Sequence, residues 1–258
     1  MQATHAFVRE VSRSLARCEL VHVARGEFDI AVARRQHAGY VAALTAAGVA
    51  VTVLPELPEL PDSTFVEDPV ILLEEIAIVC RPGAASRRAE VEALRREVER
   101  LRPAIAIEAP GTLEGGDVLR CGQTLYVGQS SRTNRAGIEQ LTRAVGPYGY
   151  RVMPVAVRGC LHLKTGATSP REGMLPANPA WVDVSAFAGF ATLAVPETEP
   201  WGANTLPING RVLTACSSPA TAACSPSATP PATASAPWAA TTSTSQSSGW
   251  SPTVTGTA

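Results

Sequence analysis

Short apolar runs alternate with helical periodicities over residues 1 to about 213 of this chain. Runs typical of β-strands occur at Ala6–Val8, Val49–Leu54, Ile76–Val79, Thr124–Val127, Val152–Val157 and Thr192–Val195. Two segments, Ile30–Ala47 and Ala89–Leu101, place apolar residues at helical spacing, and proline and glycine separate the elements. Strands that alternate with helices predict an α/β protein.

One arrangement of elements occurs twice within this pattern. Glu67-Asp68 precedes two short predicted strands that lead to Ser86-Arg87, and Glu114 precedes two more that lead to Ser131-Arg132. Duplicated small units of this kind suggest a closed array of similar modules around a central axis. Each unit would then direct a carboxylate and an arginine toward the same centre.

The composition changes abruptly at Ala215. Of the last 44 residues, 36 are Ala, Ser, Thr or Pro, and none is charged or a histidine. Such a segment buries too little apolar surface to offset the entropy of ordering, so we expect one folded domain over residues 1–214 and a disordered low-complexity tail over 215–258. Two origins stay open: a natural tail, or a reading-frame slip in a GC-rich gene. The arginine bias, with Lys164 as the single lysine, indicates such a gene, and the slip is favoured for a reason that the candidate active site supplies below.

Charge and cysteine usage exclude several classes of protein. A net charge of −1 argues against nucleic acid or an anionic membrane as the main partner. The start of the chain does not resemble a signal peptide, and no window reaches the ~18 apolar residues of a membrane span, so we expect a cytoplasmic protein. The six cysteines form no C-x-x-C pair, which disfavours a zinc site.

Several charged residues of the repeat could bind a ligand that is cationic at one end and anionic at the other. The candidates are the carboxylates of Asp62, Glu67, Asp68, Glu114 and Asp117 and the guanidinium groups of Arg87 and Arg132. Carboxylates and guanidinium groups recognise each other through paired hydrogen bonds, so free arginine or a derivative fits. Ordinary surface ion pairs are the alternative. His162, between two leucines at what looks like a strand end, is either a structural residue or a general acid/base.

Five stretches of the chain resemble the dimethylarginine dimethylaminohydrolase family, and they occur in the family's order. They are Pro61-Asp62-Ser63-Thr64-Phe65-Val66-Glu67-Asp68, the segment from Arg81 to Glu90, Leu113-Glu114-Gly115-Gly116-Asp117-Val118, Ser131-Arg132-Thr133-Asn134 and Leu161-His162-Leu163-Lys164. The resemblance spans about residues 3 to 214. Arginine deiminases share part of it but usually carry His-x-Asp, whereas Lys164 stands at that position here. This favours the dimethylarginine branch.

The resemblance implies a role for each matching position. Asp68 and Glu114 would grip the substrate guanidinium, and His162 would protonate the leaving methylamine and later activate water, so that Glu114 and His162 are the catalytic candidates. The remaining substrate-binding candidates are Asp62 and Glu67 in the same pocket, Arg87 and Arg132 at the amino-acid end, and Leu20 as a lid residue.

The resemblance also implies a fold and a type of partner. The family fold is the five-bladed α/β propeller of the guanidine-modifying, or pentein, superfamily, and here we expect the last blade to be incomplete. A small-molecule substrate is implied, with no cofactor and no metal, and a homodimer is an option. Pro170, Arg171 and Glu172 interrupt the strand that we expect after Lys164.

The nucleophile is the point at which this sequence departs from the family. A guanidinium carbon is a poor electrophile, so a thiolate must attack it to form a covalent intermediate. The family's cysteine lies a few residues from the C-terminus, but here no cysteine follows Cys224, and neither Cys216 nor Cys224 lies in a recognisable motif. Two hypotheses remain: a hydrolase of Nω-methylated arginine, as in the family, or a catalytically inactive binder of arginine analogues. An arginine deiminase is disfavoured by Lys164.

Overall fold

Five small sheets follow one another along the part of the chain that the computed structural model describes, residues 3–215 and the strand 240–241. In chain order they contain β1 His5–Arg9 and β2 Ala50–Leu54; β3 Val70–Leu72, β4 Ala77–Val79 and β5 Ala104–Ala106; β6 Val118–Cys121, β7 Thr124–Gln129 and β8 Arg151–Ala156; β9 Met174–Ala177 and β10 Ala191–Ala194; and β11 Thr205–Ile208, β12 Arg211–Ala215 and β13 Ala240–Thr241. The helices are α1 Ile30–Ala46, α2 Arg88–Glu99, α3 Arg135–Val145 and α4 Leu163–Gly166, together with single 3-10 turns at Leu15–Arg17, Ala85–Arg87, Gly115–Asp117, Gly146–Tyr148 and Val184–Ala186.

The first three sheets share one connection. In each, a helix links two parallel strands: α1 between β1 and β2, α2 between β4 and β5, and α3 between β7 and β8. Parallel neighbours require such a crossover, because the chain must return to the same end of the sheet. An antiparallel hairpin precedes the crossover in the second and third sheets, β3–β4 and β6–β7. The predicted repeat is therefore present in the structure.

Two of the three crossover helices, α1 and α3, begin at side-chain caps, whereas α2 has none. Asp29 accepts hydrogen bonds from the backbone of Ala31 at the start of α1, and Asn134 accepts from Gly137 at the start of α3. The buried face of α3 consists of Ile138, Leu141 and Val145. The sequence analysis did not single out this helix, although its apolar spacing is helical.

The largest buried cluster lies between the second and third sheets. Its side chains come from strands and helices of both repeat units and include Ile76, Ile78, Leu113, Leu125, Val127, Leu141 and Val145. This packing fixes one repeat unit against the other, so the segments that carry the acidic residues and arginines keep a constant separation.

The last hairpin packs against the first sheet. Asn209 and Gly210 both have positive φ, 48° and 76°, and form the two-residue turn between β11 and β12. The Asn209 side chain accepts a hydrogen bond from the backbone N–H of Ala3 (2.7 Å) and donates to the carbonyl oxygens of Ala3 (2.8 Å) and Ala47 (2.9 Å). Leu213 of β12 packs with Val8 of β1. The last hairpin and the first sheet of the described body therefore meet.

The prediction of a strand end around His162 is wrong, whereas the interruption predicted at Pro170, Arg171 and Glu172 is present, because these residues lie between α4 and β9. The backbone N–H of Leu163 donates to Asp117 Oδ1 (2.9 Å), and the N–H of Ala167 donates to the carbonyl of Leu163 (2.8 Å), which closes a helical turn. Strand β9 begins only at Met174. All six predicted strands overlap observed strands, and both predicted helices overlap α1 and α2.

The predicted tail, 215–258, lies outside the described residues except for Ala215 and the strand Ala240–Thr241, which pairs antiparallel with β12. In the described part of the chain, no helix is both long enough and apolar enough to cross a membrane.

Candidate active site

Five charged or titratable side chains meet where the repeat units converge, and we call them the central cluster: Asp68, Arg87, Glu114, Arg132 and His162. Each comes from a loop or a single helical turn at the end of a repeat element. All five are buried, and Glu114 is completely inaccessible. The sequence predicted that the two carboxylates and two arginines would face one centre, and the structure brings them together there with His162.

Glu114 lies at the middle of the central cluster. Its Oε2 is 2.7 Å from Nε2 of His162 and 3.7 Å from Nη1 of Arg87. Its Oε1 accepts hydrogen bonds from the backbone N–H of Gly83 (3.1 Å) and from Nη1 of Arg132 (3.4 Å). A buried carboxylate needs this many partners, because burial removes the water that would otherwise solvate its charge.

Asp68 and Arg87 form a second close ion pair in the central cluster. Nη1 of Arg87 donates to Oδ2 of Asp68 at 2.7 Å, while Oδ1 of Asp68 accepts from the backbone N–H of Gly116 at 3.1 Å. The other donors of Arg87 reach Glu90 (Nη2 to Oε2, 2.9 Å) and the carbonyl oxygen of Asp62 (3.3 Å). All three nitrogens of the Arg87 guanidinium therefore have protein partners.

Two glycines allow the segments of the cluster to approach closely. A Cβ atom on Gly115 would lie 2.0 Å from the carbonyl oxygen of Glu67, and one on Gly116 would lie 2.7 Å from both Oδ1 of Asp68 and the His162 ring. Neither position has room for a side chain. The Gly-Gly pair after Glu114 is thus required for the two acidic segments and the histidine to meet.

The cluster shifts the pKa of its histidine upward. Burial alone would lower the pKa of His162, but the nearby Asp68 carboxylate and the hydrogen bond with Glu114 outweigh it and raise the pKa to about 9. Burial would raise the pKa of Asp68, but His162 and Arg87 outweigh it and hold that pKa below its usual value. At neutral pH the site therefore contains an imidazolium beside ionised Asp68.

The three remaining predicted residues lie around the cluster rather than in it. Asp62 is buried and accepts from the backbone N–H of Glu19 (3.1 Å), and burial raises its pKa. Glu67 is exposed and pairs with Nζ of Lys164 at 2.5 Å. Leu20, which follows Glu19, is also exposed. The lid role of Leu20 and the pocket role of Glu67 stay predictions.

Two buried acids beside the cluster, Glu90 and Asp117, have partners that were not predicted from the sequence. Glu90, in the first turn of α2, binds Arg87 with both oxygens, and burial raises its pKa to about 7. Its spacing of three residues from Arg87 was the available signal. Asp117 was noted among the acidic residues, but its partners, Ser130 and Leu163, are distant in sequence and could not be inferred.

Asp68, Glu114 and His162 also offer three ligand atoms within 4.8 Å of one another, which suits a divalent metal ion. Arg87 and a protonated His162 already compensate these two carboxylates. A metal ion would therefore have to displace the guanidinium and deprotonate the imidazole.

The four cysteines of the described residues are free thiols: Cys18, Cys80, Cys121 and Cys160. Burial raises the pKa of every one of them, to about 12 for Cys160. Each of these thiols is therefore disfavoured as a thiolate. Cys216 and Cys224 lie outside the described residues.

The described residues have the α/β fold of the pentein proteins. An amidinotransferase from the saxitoxin biosynthetic pathway of Microseira wollei shares the fold, with a TM-score of 0.68 over 82% of both chains at 19% identity. This similarity confirms the predicted α/β propeller class.

Closer comparisons identify the family. The family model of eukaryotic N,N-dimethylarginine dimethylhydrolases matches residues 24–164. An N(G),N(G)-dimethylarginine dimethylaminohydrolase of Streptomyces coelicolor is 41% identical over 225 residues, 86% of each chain. The enzyme of Pseudomonas aeruginosa, solved as a cysteine-to-serine mutant with citrulline, has a TM-score of 0.80 and 37% identity over 86% of this chain and 87% of its own. This chain belongs to the dimethylarginine dimethylaminohydrolase family.

Proposed function

We propose that the described part of this chain forms the binding pocket and the acid–base group of an Nω-methylarginine hydrolase. The observation that carries the proposal is the pairing of a guanidinium with the two central carboxylates: Nη1 of Arg87 lies 2.7 Å from Asp68 and 3.7 Å from Glu114. Carboxylates placed to compensate one guanidinium can compensate another of the same charge and shape.

Substrate binding is then an exchange of ions. The substrate guanidinium replaces Arg87 beside Asp68 and Glu114, while the α-carboxylate of the substrate pairs with Arg87 and Arg132. The guanidinium and the α-carboxylate of the substrate each gain a partner of opposite charge, so neither of these two groups is buried unpaired. This explains why a closed, fully paired cluster still suits a ligand with a guanidinium at one end and a carboxylate at the other.

His162 is suited to protonate the leaving group. With a pKa of about 9 it carries a proton at neutral pH, which the departing methylamine accepts when the carbon–nitrogen bond breaks. The neutral imidazole then takes a proton from water, and the hydroxide formed displaces the thiolate from the intermediate. The products are citrulline and a methylamine, and His162 ends in its original protonation state.

The four cysteines of residues 3–215 are disfavoured as the source of the thiolate that attacks the guanidinium carbon, because burial raises the pKa of each thiol. This observation favours a second candidate function, binding of arginine analogues without turnover. Citrulline release from asymmetric dimethylarginine separates the two. Turnover that is abolished by Cys216→Ser or Cys224→Ser supports a hydrolase with that nucleophile, and full-affinity binding without citrulline supports the binder.

Calorimetric titration of the full chain with asymmetric dimethylarginine tests the binding site common to both candidates. Asp68→Ala leaves a buried substrate cation undercompensated, which costs about 2–5 kcal/mol, so its affinity should fall well over tenfold. Glu92→Gln is the matched control, since Glu92 pairs with Arg96 on the exposed face of α2. Unchanged affinity for Asp68→Ala would show that the carboxylates are structural and would refute the site.

A cytoplasmic location and a homodimer are further parts of this proposal. Free thiols at the four described cysteines fit a reducing compartment. Sedimentation velocity of the full chain measures the oligomeric state directly.

A further inference from the structure

We propose that Asp117 is a positioning residue that holds His162 and Arg132 in register across the site, with Ser130 as its second contact. The expected effect of Asp117 on ligand binding rests on the proposed function, whereas the contacts of Asp117 in the structure do not. The Asp117 carboxylate contacts neither the His162 ring nor the Arg132 guanidinium. It accepts from the backbone N–H of Leu163, next to His162, and from the hydroxyl of Ser130, in the loop that carries Arg132.

The first arm of Asp117 replaces a missing helix cap. His162 occupies the residue before α4, with φ −138° and ψ 159°, where Ser, Thr, Asp or Asn would usually cap the first backbone N–H groups. The His162 ring makes no such bond, and its Nε2 lies 2.7 Å from Oε2 of Glu114. Asp117 Oδ1 accepts from Leu163 N instead, at 2.9 Å. The imidazole is thus free to face the cluster without leaving the turn behind it uncapped.

The second arm of Asp117 reaches the loop that carries Arg132. Ser130 Oγ donates to Asp117 Oδ2 at 2.6 Å and accepts from the backbone N–H of Arg132 (3.0 Å) and of Thr133 (3.3 Å). The hydroxyl has one proton, and giving it to Asp117 leaves its lone pairs for those two amides. Thr133 Oγ1 in turn accepts from Glu114 N at 3.1 Å. One carboxylate therefore links the histidine turn and the arginine loop, and through Thr133 the loop that carries Glu114.

The surroundings of Asp117 show that this carboxylate is built into the site. It is completely buried, and burial raises its pKa although His162 and the Ser130 hydroxyl oppose that shift. A Cβ atom on Gly128 would lie 2.5 Å from Asp117 Oδ1, so this position of β7 has no room for a side chain. Burial of a carboxylate costs free energy unless its oxygens are hydrogen-bonded, and both oxygens of Asp117 accept hydrogen bonds, from Leu163 and from Ser130.

The test uses Asp117→Asn and Ser130→Ala in the full chain, with Asp183→Asn as the control. Asp183 also accepts a backbone N–H and a hydroxyl, both from Ser185, but it lies on an exposed turn. The ligand-free readout is the downfield proton signal of the hydrogen bond between His162 and Glu114. We expect Asp117→Asn to weaken or abolish this signal while near-UV circular dichroism stays native, and Asp183→Asn to leave it unchanged.

Ser130→Ala changes no charge and covers the case in which Asp117→Asn does not fold. It should lower the affinity for asymmetric dimethylarginine, and its effect should not add fully to that of Arg132→Ala, because both act through the same guanidinium. Ser130→Thr, which keeps the hydroxyl, should restore binding. A normal proton signal in Asp117→Asn, or full additivity of Ser130→Ala with Arg132→Ala, would overturn the proposal. Absence of binding by the parent would refute the proposed function instead, and the proton signal would still test Asp117.

Discussion

Raising the pH from about 6 to about 9.5 should remove the stabilisation that His162 gives to the folded state. The pKa of this imidazole is about 9 in the folded protein and 6.5 for an unshifted histidine. A group whose pKa rises on folding stabilises the folded state fully below its unfolded pKa, and that stabilisation is lost as the pH rises through the folded pKa. The relevant window therefore runs from 6.5 to about 9.

The size of the effect follows from the shift. Each pKa unit corresponds to about 1.4 kcal/mol, so a rise from 6.5 to about 9 corresponds to about 3 kcal/mol of unfolding free energy. This is a large part of the ~5–15 kcal/mol by which most domains are stable. Because His162 is buried, little of the interaction is screened by solvent.

Urea unfolding followed by tryptophan fluorescence, at several pH values, measures this contribution. The quantity of interest is the difference in unfolding free energy between the parent and His162→Gln, which should shrink by about 3 kcal/mol across the window. Burial also raises the pKa of Cys80 and of Cys160, but these thiols are present in both proteins and cancel in the difference. The exposed His22 supplies the control His22→Gln, which should follow the parent. A difference between parent and His162→Gln that stays constant or grows with pH would refute the electrostatic account of the cluster.

Two further predictions concern stability and can be checked by thermal and urea unfolding. Gly115→Ala should lower the unfolding free energy by about 3 kcal/mol or more, since its new Cβ would lie 2.0 Å from a backbone carbonyl oxygen. Gly39→Ala lies in the exposed interior of α1 with nothing within 4 Å, so it should raise the unfolding free energy by up to about 1 kcal/mol. Equal unfolding midpoints for the two variants would contradict this. Asn134→Ala should cost about 2 kcal/mol and Asp29→Ala about 1 kcal/mol. Asn134 Oδ1 accepts from Thr112 N as well as from its own helix, so the reverse order would show that this second bond contributes nothing.

The convergence of the charged residues could be predicted because it follows from a local repeat. The acid before the strands and the arginine after them occupy equivalent places in two units, so equivalent packing brings Asp68 and Glu114, and likewise Arg87 and Arg132, to one centre. No knowledge of distant contacts was needed. The family resemblance then supplied His162, which no repeat contains.

The conformation after His162 could not be predicted, because it depends on a residue 46 positions away. The alternation Leu161-His162-Leu163 is typical of a strand, and nothing nearby in the sequence indicates that Asp117 binds the N–H of Leu163 and closes a helical turn there. Glu90 was overlooked for a different reason. Its exposure on a surface helix is the ordinary expectation, and only the position of Arg87 in the folded chain makes it a buried partner.

The contact of Asn209 with Ala3 means that the chain could begin and end at another point while the sheets keep their arrangement in space. Hydrogen bonds of 2.7 and 2.8 Å hold Ala3 beside Asn209, and Ala215 lies six residues beyond Asn209 at the far end of β12, so a linker that spans about 20 Å could join the two ends. A circular permutant opened in an exposed loop, such as the turn at Gly122, would then keep every pairing of the first four sheets and the β11–β12 hairpin. In such a permutant the linker would connect the β11–β12 hairpin directly to β1. The segment that now follows Ala215 could then be removed or exchanged, and the contact between Asn209 and Ala3 would remain.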